Sequence, residues 1–154
     1  NVDEPGPLGS IVDSLVSVSE RLPVVFVAHP RTLKGLERFD LRDRLEEADG
    51  VRLLEPQPYV RFMNLVTGAR LVITDSGGLQ EETTYLGIPC LTLRDNTERP
   101  VTITLGTNRL VDTSTLGAAL EESLNGNGKE SSVPPFWDGK TAQRAVEALR
   151  RRLA

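Results

Sequence analysis

The stretch Leu71-Val72-Ile73-Thr74-Asp75-Ser76-Gly77-Gly78-Leu79-Gln80-Glu81-Glu82 sets a short apolar run against two glycines and then a helical pattern. Leu71–Thr74 has the β-branched composition of a buried strand. Asp75 to Gly78 is turn chemistry, and Leu79 to Leu86 returns to helical spacing. A strand running through so small a turn into a helix is one repeat of an α/β layer architecture.

The same alternation extends in both directions. Upstream, Leu8, Ile11, Val12, Leu15 and Val16 share one helical face that Pro23 ends. Val24-Val25-Phe26-Val27-Ala28 reads as a strand buried on both faces, Leu33 to Leu45 as one charged helix, and Val51 to Leu54 as a second strand. Tyr59 to Thr67 is helical in pattern, closed by Gly68. Downstream, Gly87-Ile88-Pro89 turns into a fourth strand, Cys90 to Leu93, and Arg109-Leu110-Val111 makes a fifth. Helices follow on Leu116, Ala119, Leu120 and Leu124, and on Ala142, Ala145, Val146, Leu149 and Leu153. The Asn, Gly, Ser and Pro content of residues 125–135 marks a linker to a final helix over 140–153. Apolar strands alternating with helices require a parallel sheet covered on both faces. Right-handed crossovers then give an α/β, Rossmann-like doubly wound sheet.

With 154 residues the chain is one domain's worth of protein, and its apolar content of 38% with 26% charge is ordinary globular usage. A net charge of −4, without a dense basic patch, argues against a nucleic-acid partner. Arg150-Arg151-Arg152 closes the last helix, where it complements the negative end of the helix dipole. Cys90 is the single cysteine, so no internal disulfide forms and no paired cysteines offer metal spacing, which points to a reducing, cytoplasmic setting. No apolar run approaches the length of a membrane span. The start at Asn1 rather than Met, in a Pro-rich segment, reads as a piece of a longer protein.

In an open α/β sheet, ligands bind beyond the carboxyl ends of the strands, which places Asp75-Ser76-Gly77-Gly78 on the ligand side. The amides opening the helix, together with its positive dipole end, suit a diphosphate. A capping box would compete for those amides with Glu or Gln three residues after Ser76, but that position is Leu79. Ser76 either caps the helix or offers its hydroxyl to a phosphate, and a plain tight turn is the competing structural reading. Neither a Walker A motif nor GxGxxG is present. Glu82 lies four residues after Gly78 and faces the same way, so its carboxylate is either a ribose ligand or a solvated charge. Glu81 points away and reads as surface. His29 ends the first strand on the same edge, in a structural role or beside a ligand. Phe62 packs in the core or stacks beside a base, with spacing favouring the core. The long connection from Arg94 to Thr107 carries Arg94, Glu98 and Arg99. Arg94 and Glu98 read as a surface pair worth little, and Arg99, followed by Pro100, is a candidate cationic ligand contact.

These motifs together resemble one family, the non-hydrolysing UDP-N-acetylglucosamine 2-epimerases. The resemblance rests on Asn1-Val2-Asp3, His29-Pro30-Arg31-Thr32, Thr74 to Glu82, Leu86-Gly87-Ile88-Pro89, Leu93 to Pro100, and Gly106 to Val111. Asp138-Gly139-Lys140-Thr141-Ala142 is also similar, with Trp137 departing from the family pattern. It implies the C-terminal half of a GT-B-type two-domain fold, covering residues 1–154, with a UDP-sugar in the cleft between domains. It further implies that Ser76, Gly77 and Gly78 contact the diphosphate, Glu82 the ribose, and Phe62 the uridine. Arg99 and His29 would lie near UDP or sugar, or His29 would serve a second UDP-GlcNAc that activates some members. The implied chemistry eliminates UDP anti to give a glycal and then re-adds it, without metal or cofactor. Its catalytic residues are expected in an N-terminal domain, none of them here, and a homodimer is the family expectation. A glycosyltransferase donor domain and a non-catalytic nucleotide-binding module share these local features and stay open at this point.

Overall fold

The computed structural model describes residues 1–126 and 131–153. Residues 127–130 of the expected linker lie outside the described residues. Helix α1 (Pro5–Ser19) begins with Pro at its first turn, where no helical amide bond is lost, and buries Leu8, Ile11, Val12, Leu15 and Val18. Strand β1 (Val24–Val27) pairs in parallel with β2 (Val51–Leu54), in the register Val24 opposite Val51. A three-stranded parallel sheet is built from β3 (Val72–Thr74), β4 (Cys90–Leu93) and β5 (Asn108–Val111), in that order. Hydrogen bonding thus divides the five strands into a pair and a triplet, while Leu53, Ile73, Leu91 and Val111 enter one common core.

Strand β4 shows why helices cover both faces. All four of its residues are buried. Leu91 and Leu93 pack with α1 and with Leu116, Ala119 and Leu120 of α7 (Leu116–Leu124). Cys90, on the opposite face, joins Val66 of α4 (Tyr59–Thr67) and Leu79 of α5 (Gly77–Leu86). The strand period of two sends alternate side chains to the two helical layers. Helix α5 ends at Gly87, whose φ of 72° lies in the left-handed region that a side chain disfavours. That turn returns the chain through Pro89 into β4.

Three sequence expectations change, and the last helix is found with a solvent-exposed face. The helix expected over 33–45 is two, α2 (Pro30–Arg38) and α3 (Arg42–Glu46), separated where Asp40 adopts φ 55°. An Asp tolerates that left-handed state, which breaks the helical hydrogen bonding although the apolar spacing runs on. Val25 of β1 is 46% exposed, so β1 is not buried on both faces. The connection after β4 contains a helix, α6 (Pro100–Thr104), too short to show a period. The last helix, α8 (Thr141–Leu153), buries none of its residues, leaving Val146, Leu149 and Leu153 exposed. Among the described residues no helix is long and apolar enough to cross a membrane.

Candidate functional site

Strand β3 delivers the chain through Asp75 to Ser76 at the N-cap of α5, and both glycines then lie in the first helical turn. Ser76 is extended (φ −79°, ψ 132°), and its amide donates to the Thr74 hydroxyl at 3.0 Å, closing the turn locally. No side chain caps the helix, and its first turn holds no acidic residue. Among the described residues, the opening amides of α5 therefore meet no acceptor, the arrangement that favours an external anion. A methyl placed on Gly78 would meet nothing within 4 Å among the described residues beyond its own stretch of helix, so this face is open.

One arginine stands beside the turn and a second pairs with α5. A Cβ on Gly77 would lie 3.5 Å from Nη1 of Arg94, which puts that guanidinium next to the first amide. Arg94 donates through both terminal nitrogens to Glu98, at 3.2 and 3.1 Å. The Glu98 carboxyl is held below the usual carboxylate range by its own backbone amide first and by Arg94 second. Arg99 reaches back to α5, its Nε 3.0 Å from Glu81 Oε2. Glu81, read from spacing as plain surface, thus orients a cation instead. Both pairs are solvent-accessible, so they set geometry more than they add stability.

One turn along α5, Glu82 accepts a hydrogen bond from the Tyr59 hydroxyl at 2.9 Å. That bond raises the Tyr59 phenol above its ordinary value, with the Glu82 charge acting in the same direction. Tyr59 is 66% exposed at the start of α4, whereas Phe62, one turn later, packs partly buried on the cluster of Val66, Leu79 and Cys90. Sequence reasoning singled out Phe62, missed Tyr59, and read Arg94 only as the surface partner of Glu98, a pair the structure shows, without its place beside Gly77. The available signals were Arg94's position at the carboxyl end of β4 and an aromatic opening a helix.

His29 sits at the carboxyl end of β1 as the N-cap of α2, its Nδ1 accepting the Arg31 amide at 3.3 Å. Arg31 forms a two-pronged pair with Asp3 at 2.8 and 2.5 Å. This His29–Asp3 group makes no hydrogen bond to the glycine turn, so the structure does not join His29 to the other candidates. Beside Arg94, the carboxyl ends of β4 and β5 frame an open polar basin of about 340 Å³, lined in part by Asn1, Asp95, Asn96 and Asp112. Among the described residues, no group of three or more His, Cys, Asp or Glu gathers to hold a metal ion.

The uncapped glycine turn, with Arg94 beside Gly77, presents open helix amides and a guanidinium on the carboxyl edge of a parallel sheet, a chemistry that suits an anion. A family model described as UDP-N-acetylglucosamine 2-epimerase matches residues 1–150. The chain belongs to this epimerase family. The UDP-N-acetylglucosamine 2-epimerase of Methanocaldococcus jannaschii is 41% identical over 153 residues, covering 97% of this chain and 41% of that protein. Its structure in complex with UDP-GlcNAc and UDP superposes with a TM-score of 0.81 at 40% identity, covering 98% of this chain and 42% of that one. A second epimerase, the UDP-2,3-diacetamido-2,3-dideoxy-D-glucuronate 2-epimerase of Pseudomonas aeruginosa, is 37% identical over 145 residues, covering 86% of this chain and 39% of that protein. The epimerase relatives have a GT-B-like fold, and this chain spans about two fifths of their length.

Proposed function

We propose that this chain is the C-terminal, UDP-binding domain of a UDP-GlcNAc 2-epimerase, which interconverts UDP-GlcNAc and UDP-ManNAc. The observation that carries the reading is the open first turn of α5 with Arg94 beside Gly77, in a family whose M. jannaschii member is solved with UDP-GlcNAc and UDP. The free amides of Gly77 and Gly78, with the Ser76 hydroxyl, receive the diphosphate. Glu82 takes the ribose hydroxyls, with Tyr59 holding one of its oxygens in place. Phe62, anchored in the core, backs the uridine side. Arg99, paired with Glu81 of α5, lies near UDP or the sugar. His29, on a separate group, serves the sugar or a second UDP-GlcNAc.

The chemistry follows from what these groups can do. Anti elimination breaks the anomeric C–O bond to give a 2-acetamidoglucal, and UDP leaves with the bonding pair. The elimination also takes the C2 proton, so re-addition returns UDP to C1 with the anomeric configuration kept and a proton to the opposite face of C2, which completes the exchange. Pre-oriented amides and guanidinium groups stabilise charge as it builds on the departing diphosphate, an electrostatic contribution made without reorganisation. The acid and base acting at C2 are assigned to the part of the relatives that this chain does not cover. The whole enzyme would work in the cytoplasm as a homodimer.

Isothermal titration of the 154-residue chain with UDP, and a coupled assay for UDP-ManNAc formation, test the reading together. UDP binding without turnover is expected. Absence of UDP binding overturns the site, and turnover by this chain overturns the division of chemistry between domains.

A further inference from the structure

Buried in the same helix is polar chemistry that UDP binding does not use. Gln80 is 0% exposed, as is Asn108 at the start of β5. The Gln80 Oε1 accepts from the Thr97 hydroxyl at 2.6 Å and from Asn108 Nδ2 at 3.1 Å, while its Nε2 donates to the Ser76 carbonyl at 3.3 Å. Asn108 Oδ1 accepts from Thr92 in β4 at 2.6 Å, and its Nδ2 also reaches the Thr102 hydroxyl of α6 at 3.3 Å. Two side-chain amides thus bridge the phosphate turn, the central strand and the segment after it.

The circuit ends on one residue. Thr97 Oγ1 accepts from the Arg99 amide at 3.0 Å, and Thr102 Oγ1 donates to the Arg99 carbonyl at 2.7 Å. Each hydroxyl has one proton, and the directions agree throughout: Thr97 donates to Gln80 and accepts from Arg99, while Thr102 donates to Arg99 and accepts from Asn108. Both backbone polar groups of Arg99 are therefore tied to hydroxyls that the amide pair holds. An aliphatic contact would bury the same area without registering one segment on the other. Hydrogen bonds are directional, and a fully satisfied buried network defines a single arrangement.

We propose that the Gln80–Asn108 amide pair, acting through Thr97 and Thr102, is a positioning device that sets Arg99 against the diphosphate turn. These are positioning residues, since none of them faces the open side of the turn. The inference rests on the reading of that turn as a UDP site. It also explains why an amide stands within an otherwise acidic run, Gln80-Glu81-Glu82: the helix turns Gln80 inward and both carboxylates outward.

Thr97 is half-buried, so Thr97→Val removes the hydroxyl at almost constant shape, and Thr97→Ser restores it. Amide hydrogen exchange across residues 95–104, UDP titration and thermal unfolding would be measured on the 154-residue chain and both variants. Thr97→Val should speed exchange in this segment alone and weaken UDP about tenfold, with the midpoint of unfolding little changed, and Thr97→Ser should recover both within about twofold. Unchanged exchange in Thr97→Val overturns the proposal, as does failure of Thr97→Ser to restore it. If the parent binds no UDP, the nucleotide reading fails, and the exchange comparison still decides whether the amide pair positions Arg99.

Discussion

Gly78→Ala separates a phosphate seat from an ordinary helix start, because both readings predict a more stable chain and only the first predicts weaker UDP binding. Gly78 is the second residue of α5, and its φ is not in the left-handed region. A methyl there meets nothing within 4 Å among the described residues beyond its own stretch of helix, so the folded chain accommodates it without strain. Replacing a helical Gly by Ala at a compatible position stabilises by about 0.4–1 kcal/mol, largely by restricting the unfolded chain. For a domain of this size that is roughly 1–4 °C in the unfolding midpoint. A diphosphate on the opening amides would meet that methyl directly. Losing one charge-assisted hydrogen bond costs about 1.5–3 kcal/mol, which weakens binding on the order of 10- to 150-fold. Differential scanning fluorimetry and isothermal titration with UDP, run on the same preparation, read both quantities. A variant that is more stable and binds UDP tenfold or more weakly supports the site. One that is more stable and binds UDP as before refutes the assignment of these amides.

Two further outcomes follow from the same edge of the sheet. Glu82→Ala should weaken UDP by about 1.5–3 kcal/mol while leaving inorganic pyrophosphate binding unchanged, and equal loss for both ligands would remove Glu82 from the ribose role. The Tyr59 phenol, raised by Glu82, keeps its hydrogen bond below its ordinary titration range and loses it as pH climbs through its folded value. Ultraviolet titration should therefore show one tyrosine ionising above the ordinary range in the parent and within it in Glu82→Gln; a titration unaltered by that substitution would dissociate the pair.

Much of the layer architecture is written in local pattern. The apolar runs of β1 to β4, the small turn at Ser76-Gly77-Gly78 and Gly87 after α5 are each readable from spacing and residue size, because strand and helix periods and left-handed turns are properties of a few neighbouring residues. Elements that lack a period stayed hidden. Helix α6 is five residues long, and the Asp40 break interrupts hydrogen bonding without interrupting the apolar pattern.

For the site, the same division holds. The sequence by itself determined that a glycine turn without a capping box would open a helix beyond a strand, and that Glu82 would follow one helical turn later; the structure decided that Ser76 leaves the helix uncapped. Only the tertiary structure decided what surrounds them: Arg94 beside Gly77, Arg99 on Glu81, Tyr59 on Glu82, and Gln80 turned into a buried circuit with Thr97 and Asn108. These partners come from different strands and connections, and parallel pairing brings the carboxyl ends of β3, β4 and β5 to one edge. Helical spacing says which residues share a face, but the packing of α5 on β4 decides which face is inside. That choice depends on the whole core, so no local window contains it.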